Sequence, residues 1–175
     1  TNSMPPEDFR RTFLFSWATQ ALHTLGPTQD ISIYLKDEGV PFQSFYEQMI
    51  LLGSDTIFGQ QVARTNKSLD RALSGGDWGE VDSKRYGNII WPLEEISFLN
   101  IATGDRELFY RQVEEMINRH LISIPHEVIE RQMQRLITPE DFGGNVLEYA
   151  KKVAWFGRKS GATFKDNRES AGIST

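Results

Sequence analysis

The stretch from Pro92 to Ala102, Pro-Leu-Glu-Glu-Ile-Ser-Phe-Leu-Asn-Ile-Ala, constrains this chain more than any other. Wound as a helix, Ile96, Phe98, Leu99, Ile101 and Ala102 cover more than one face, and a helix that is apolar on several sides must be enclosed by other elements. The fold therefore needs a layer of secondary structure around a central helix. Pro92 suits the first helical position, which puts Glu94 and Glu95 in the first turn, beside the exposed amides and the positive end of the dipole. That placement accounts for both glutamates, and core anchoring accounts for Trp91, before any chemistry is invoked.

The rest of the chain supplies the enclosing layer. Met4-Pro5-Pro6-Glu7-Asp8 opens a first helix, and Gly26-Pro27 closes it. Between them Phe9, Phe13, Trp17, Ala21 and Leu25 recur at helical spacing as one stripe. A second helix, about 28 to 38, stops at Gly39, and Val40-Pro41 turns into a third carrying Phe42, Phe45, Met49 and Leu52. After Gly53, Ser54 or Asp55 is placed to cap a helix with Phe58, Val62, Thr65, Leu69 and Leu73 in step. Beyond the central helix, Asp105 caps a segment with Phe109, Val113, Met116 and His120 on one stripe. Pro125 starts another, with Ile129, Met133 and Leu136 inward. Thr138-Pro139-Glu140-Asp141 opens a short turn, and Asn145 starts a last helix ended by Gly157. The pattern predicts an all-α fold, a single compact domain of about seven or eight helices and not a repeat solenoid. Residues 1–160 are expected to form this domain and 161–175 a flexible basic tail.

In one place the periodicity fails. Residues 75–88 (GGDWGEVDSKRYGN) are rich in Gly and Asp and read as the one substantial loop, and long loops in compact domains are disproportionately functional.

Composition narrows the function classes. A 25% charged, 39% hydrophobic chain is that of a globular domain, and no apolar run approaches the roughly 20 residues of a membrane span. We expect a cytoplasmic location and no membrane partner. The absence of cysteine excludes disulfides, thiol nucleophiles, and cysteine-ligated zinc or iron–sulfur clusters held by this chain. The net charge of −5 is uneven: residues 151–175 carry six cations against two acids, a net of +4, which leaves −9 for the remainder. An acidic body argues against a nucleic-acid partner, and the basic end suits a helix C-terminus followed by a solvated tail, or contact with an acidic neighbour.

The sequence carries no phosphate-cradling glycine loop and no Gly-x-Ser-x-Gly elbow. Asp141-Phe142-Gly143 spells a kinase metal-binding tripeptide but lacks the glycine-rich and catalytic loops that would give it meaning. His23, His120 and His126 do not fall at metal-ligand spacing, so no metal site is expected. Glu94 and Glu95 point about 100° apart on a helix and do not converge on one bond.

Three segments, FLFSWATQALHTLGPTQDISIYLKDEGVPFQSFY, GNIIWPLEEISFLNIATGDRELFY and VAWFGRKSG, together resemble, in their order and separation, the C-terminal region of B12-binding radical SAM proteins. The likeness spans nearly all of residues 9–161. It rests on an aromatic-rich helix with a Leu-Gly turn, a Tyr-Leu pair and a Gly-Val-Pro turn, then a Trp-Pro-x-Glu-Glu core followed by Phe-Tyr, then Trp-Phe-Gly-Arg. Leu93 stands where the family has a second proline, and Phe156 where a tyrosine is common. The resemblance implies a domain that follows the catalytic barrel. Cobalamin, S-adenosylmethionine and a 4Fe-4S cluster would then belong to the parent enzyme, methyltransferase-like in many members, with none bound by this chain. The implied partners are the barrel and the cobalamin domain of the same polypeptide or complex.

On this reading the domain covers the barrel's open face, with Trp78, Tyr86, Trp91 and Glu94 as substrate-facing groups and no catalytic residue of its own. Two other readings are a free-standing helical interaction module and a small-molecule sensor with a pocket between helices.

Overall fold

A computed structural model describes residues 4–77, 80–86, 89–150 and 152–153. Its described part is all-α apart from one short hairpin. Pro6–Thr19 (α1), Gln29–Asp37 (α2), Phe42–Ile50 (α3) and Ile57–Leu73 (α4) precede the antiparallel strands Glu80–Ser83 (β1) and Ile89–Pro92 (β2). Leu93–Ala102 (α5), Arg106–His120 (α6), His126–Arg135 (α7), a 3-10 turn at Pro139–Phe142 and Val146–Ala150 (α8) follow. The expected tail, 161–175, and the Gly157 stop lie outside the described residues.

The central helix is the one the apolar pattern singled out. In α5, Leu93, Glu95, Ile96, Ser97, Phe98, Leu99, Ile101 and Ala102 are all buried. It is packed against α1, α4, α6 and the hairpin, and Tyr149 of α8 meets Phe98 at 6.3 Å between ring centroids. The helix starts one residue later than expected: Pro92 ends β2 and precedes the first helical residue, Leu93.

Sequence and structure differ at four further points. The expected loop contains β1, which pairs with β2 just beyond it, with Val81 opposite Trp91 and Asp82 opposite Ile90. The first helix does not run on regularly to Gly26: α1 closes in a π turn, Gln20–Thr24, where the Leu25 amide reaches back five residues to Gln20 O at 3.1 Å. The buried face runs through Leu14, Trp17, Ala18, Ala21 and Leu22, and Phe13 and Leu25 are only partly covered. Thr56, rather than Ser54 or Asp55, caps α4, its hydroxyl accepting from the Gly59 amide at 3.0 Å. His120 and Leu73, at the ends of their stripes, are exposed.

Elsewhere the expected caps are present. Asp105 Oδ1 accepts from the Leu108 amide at 2.9 Å, and Asn145 Oδ1 accepts from the amides of Leu147 and Glu148. The Asp-Phe-Gly tripeptide has a purely structural explanation. Asp141 accepts from the Thr138 amide at 2.7 Å in a capping box, Phe142 packs on Tyr149, and Gly143 takes φ 63° to close the turn.

Polar side chains of α6 and α7 anchor the turn that leads into α2. Gln132 of α7 is buried; its amide nitrogen donates to Gly26 O at 2.9 Å and its oxygen accepts from the Asp30 amide at 2.7 Å. The Tyr110 hydroxyl of α6 donates to Pro27 O at 2.8 Å. They satisfy the Pro27 carbonyl and the Asp30 amide and give the Gly26 carbonyl a second donor beside the Gln29 amide at 3.3 Å, so the turn and the start of α2 are held by side chains of α6 and α7.

Candidate functional site

The region singled out by the sequence lies where the hairpin meets α5 and α4. Trp78 lies outside the described residues. Tyr86 follows β1 and is buried, with its hydroxyl 3.1 Å from Asn100 Oδ1 and 2.8 Å from Thr103 Oγ1, both on or just after α5. Asn100 Nδ2 donates to Gln61 Oε1 at 3.0 Å, and Arg64 Nη1 donates to the same oxygen at 2.9 Å.

This chain of bonds has a fixed direction. Arg64 only donates, so Gln61 presents its oxygen, Asn100 must present its amide nitrogen to Gln61, and the Asn100 oxygen is left to accept from Tyr86. Thr103 donates to Leu99 O at 2.8 Å, so the single Tyr86 proton is shared between Asn100 and Thr103. Arg85 completes the cluster, donating to Thr103 O at 3.3 Å and standing 5.4 Å over the Tyr86 ring. Burial pushes the Tyr86 hydroxyl up from its ordinary value, opposed by the Thr103 bond and the charges of Arg85 and Arg64. Tyr86 is therefore a neutral hydrogen-bonding post that ties the hairpin to α5, not a proton donor near neutral pH.

The other two sites in the stretch separate. Trp91 is 0% exposed and faces the core, opposite Val81 in the ladder. Of the paired carboxylates, Glu95 turns inward at 3% exposure, while Glu94 stays at the half-buried rim of the first turn. The outward neighbour of Trp91 is Ile90, 58% exposed on the hairpin's other face. The structure thus brings Tyr86 and Trp91 together as supports of the hairpin and leaves Glu94 at its edge.

Asn100, Gln61 and Arg64 were not identified from sequence. Asn100 is visible as the polar interruption of an apolar helix, which is the local signal that a buried partner exists. Gln61 lies 39 positions away, and nothing local pairs them.

The histidines occupy three unlike settings. His23 is half-buried, its Nδ1 2.9 Å from Ser32 Oγ and its ring edge-on to Phe42 and Tyr46. Burial lowers its pKa. The Tyr46 hydroxyl beside Ser32 and Thr28 is pushed up to about 12 by burial. His126 is exposed, and its Nδ1 lies 3.0 Å from Glu114, which raises its pKa by hydrogen bonding and charge. Among the described residues no group of three or more His, Cys, Asp or Glu is placed to hold a metal ion. No helix among them is long and apolar enough to cross a membrane.

No protein-family model, curated protein or solved structure matches this chain.

Proposed function

We propose that this chain is the helical domain that follows the barrel of a B12-binding radical SAM enzyme, packs on the barrel's open face and helps to form or cover the substrate site without being catalytic alone. The observation that carries the reading is the bond from Tyr110 to Pro27. It joins the Leu-Gly-Pro turn of the first resembling segment to the Phe-Tyr end of the second. Two stretches that resemble the family in sequence therefore also depend on one another physically, as parts of one folding unit. With no cysteine, the chain does not fit a role in holding the cluster, and no step of radical chemistry is assigned to its residues. Its contribution is to exclude water and to shape a surface.

Within this reading the four proposed groups divide their work. Glu94 is the group at the rim, Tyr86 and Trp91 hold the hairpin from within, and Trp78 belongs to the segment leading into β1. The test is the reading frame upstream of Thr1. A Cys-x-x-x-Cys-x-x-Cys cluster preceded by a cobalamin-type domain is the expected result, and a start codon at Met4 with a ribosome-binding site before it would overturn the proposal. A second reading, a free-standing interaction module, is favoured by the open groove between α1 and α3, where Leu51 is 74% and Met4 54% exposed. It requires partner binding with no catalytic half present.

A further inference from the structure

Four arginines of the fold close on carboxylates: Arg10 on Asp70 at 2.6 Å, Arg11 on Glu47 at 2.9 Å, Arg106 on Glu140 at 3.0 Å and Arg135 on Asp30 at 2.5 Å. Arg64 and Arg85 behave differently. Arg64 Nη1 donates to the Gln61 side-chain oxygen at 2.9 Å and Arg85 Nη2 to the Thr103 carbonyl at 3.3 Å, and both acceptors are neutral. Among the described residues neither guanidinium has a carboxylate at ion-pair distance. Asp105, the acid nearest Thr103 in the chain, is turned to its own helix, where it accepts from the Leu108 amide at 2.9 Å.

The two guanidiniums are anchored one helical turn apart. Gln61 Oε1 also accepts from Asn100 Nδ2 at 3.0 Å, so Arg64 is held beside Asn100 and Arg85 beside Thr103, about 4.5 Å further along the axis of α5. The floor between them is polar: Asn100 and Thr103 are half-buried, and both meet the Tyr86 hydroxyl. The charges of Arg64 and Arg85 both act on that hydroxyl. Each guanidinium gives one N–H to its neutral acceptor, which orients the planar fork and leaves its other donors and its full charge for an anion. On α4, Lys67 and Arg71 continue the stripe of Arg64, and Arg71 too is held by a neutral oxygen, that of Ser68 at 3.3 Å. In a chain of net charge −5 this is a local concentration of unspent positive charge.

We infer that Arg64 and Arg85 form a binding site for a phosphorylated small molecule, holding its phosphate or diphosphate group over the floor of Asn100 and Thr103. Two permanent cations match a group that carries close to two negative charges near neutral pH, which a phosphate ester does and a single carboxylate does not. Guanidinium forks also suit its several oxygens. The acidic surface elsewhere disfavours the long polyanion of a nucleic acid, whose phosphates would run on past these few cations. The inference does not rest on the proposed function.

Inorganic pyrophosphate titrated into the full chain at constant ionic strength, read from the arginine Nε–H and backbone amide resonances, tests this. The expected result is saturable binding with a Kd of about 1 mM or tighter and the largest side-chain shifts at Arg64 and Arg85. Arg64→Gln and Arg85→Gln should each weaken binding about 10-fold, the loss of a charge-assisted bond, while Arg119→Gln in the last turn of α6 should leave it unchanged. Glutamine keeps an N–H donor for Gln61 or Thr103, and an unaltered thermal midpoint shows that the fold is kept. Shifts that grow without saturation, or that are as large at Arg119 as at Arg64 and Arg85, overturn the inference, and the parent titration decides this even where a variant unfolds. Parent-like affinity in the Arg64→Gln, Arg85→Gln double variant overturns it as well. Malonate binding as tightly as pyrophosphate overturns the assignment to phosphate.

Discussion

The Tyr110 hydroxyl donates to the Pro27 carbonyl at 2.8 Å across 83 positions of sequence, inside the core. Gln132 holds the same turn from the other side through Gly26 and Asp30. Losing Tyr110 strands the Pro27 carbonyl and losing Gln132 strands the Asp30 amide, and a stranded backbone group costs more than the bond itself is worth. Tyr110→Phe should therefore destabilise the domain by about 1–2 kcal/mol, and Gln132→Leu, which also leaves the Gly26 carbonyl only the Gln29 amide, by about 1–3 kcal/mol. Urea denaturation of the two single variants and the double variant checks this. Because both act on one turn, the double variant should deviate from additivity by about 0.5 kcal/mol or more.

Tyr86→Phe removes a donor from Asn100 and leaves α4, α5 and their packing intact. The expected cost is about 1 kcal/mol, and it should be local. Hydrogen exchange should quicken at the amides of β1 and β2 while the α5 amides keep their protection. Equal acceleration in both places would show that the hairpin and the central helix open as one unit.

Gly59, the third residue of α4, lies hard against the preceding turn. A Cβ there would overlap the carbonyl of Gly53 and come within 2.7 Å of Leu52 O, and both neighbours are backbone, which does not swing aside. Gly59→Ala should therefore cost about 3 kcal/mol, against the small gain that alanine brings at an unobstructed helical position. A thermal midpoint equal to that of the parent would contradict this close approach.

What could be read from the sequence follows the range of the interaction that decides it. The central position of α5, the Asp105 and Asn145 caps and the Thr138 capping box are set by residues within one turn of each other, and all were legible. The hairpin was not, because its strands are four residues each, too short for Val81 and Ile89-Ile90 to establish an alternation amid Gly and Asp. The π turn leaves no mark on composition. Thr56 competed with Ser54 and Asp55 as a cap, and only the trajectory of the chain past Gly53 chose among them. Half of the candidate site was equally hidden: Tyr86, Trp91 and Glu94 stand in the stretch that drew notice, but Gln61 and Arg64 act across the fold.

Two histidines give stability opposite dependences on pH. His23 has a lowered pKa, so its contribution is fully present above the unfolded value of 6.5 and is lost as pH falls through its folded value. His126 has a raised pKa, so its contribution is present below 6.5 and is lost as pH rises through its folded value. The part of the stability profile due to these two should therefore peak near pH 6.5. Urea midpoints between about pH 5 and about pH 8.5 should show His23→Gln flattening the acid side and His126→Gln, an exposed group with a smaller effect, flattening the alkaline side.

Trp91 and Glu94 make separable predictions about the proposed role. Trp91 is wholly buried, so Trp91→Ala should cost about 3–5 kcal/mol and lower the activity of a full-length enzyme by unfolding this domain, whatever the domain touches. Such a loss says nothing about substrate. Glu94 sits at the rim of the first turn, where Glu94→Gln gives up only a favourable interaction with the helix dipole, about 0.3–1 kcal/mol. If the first turn of α5 faces the substrate site of a parent enzyme, Glu94→Gln should change KM or kcat several-fold while the thermal midpoint moves by little. Kinetics and melting measured on the same full-length protein decide it: unchanged kinetics in a folded Glu94→Gln variant removes Glu94 from the facing surface and returns it to its helix-start role.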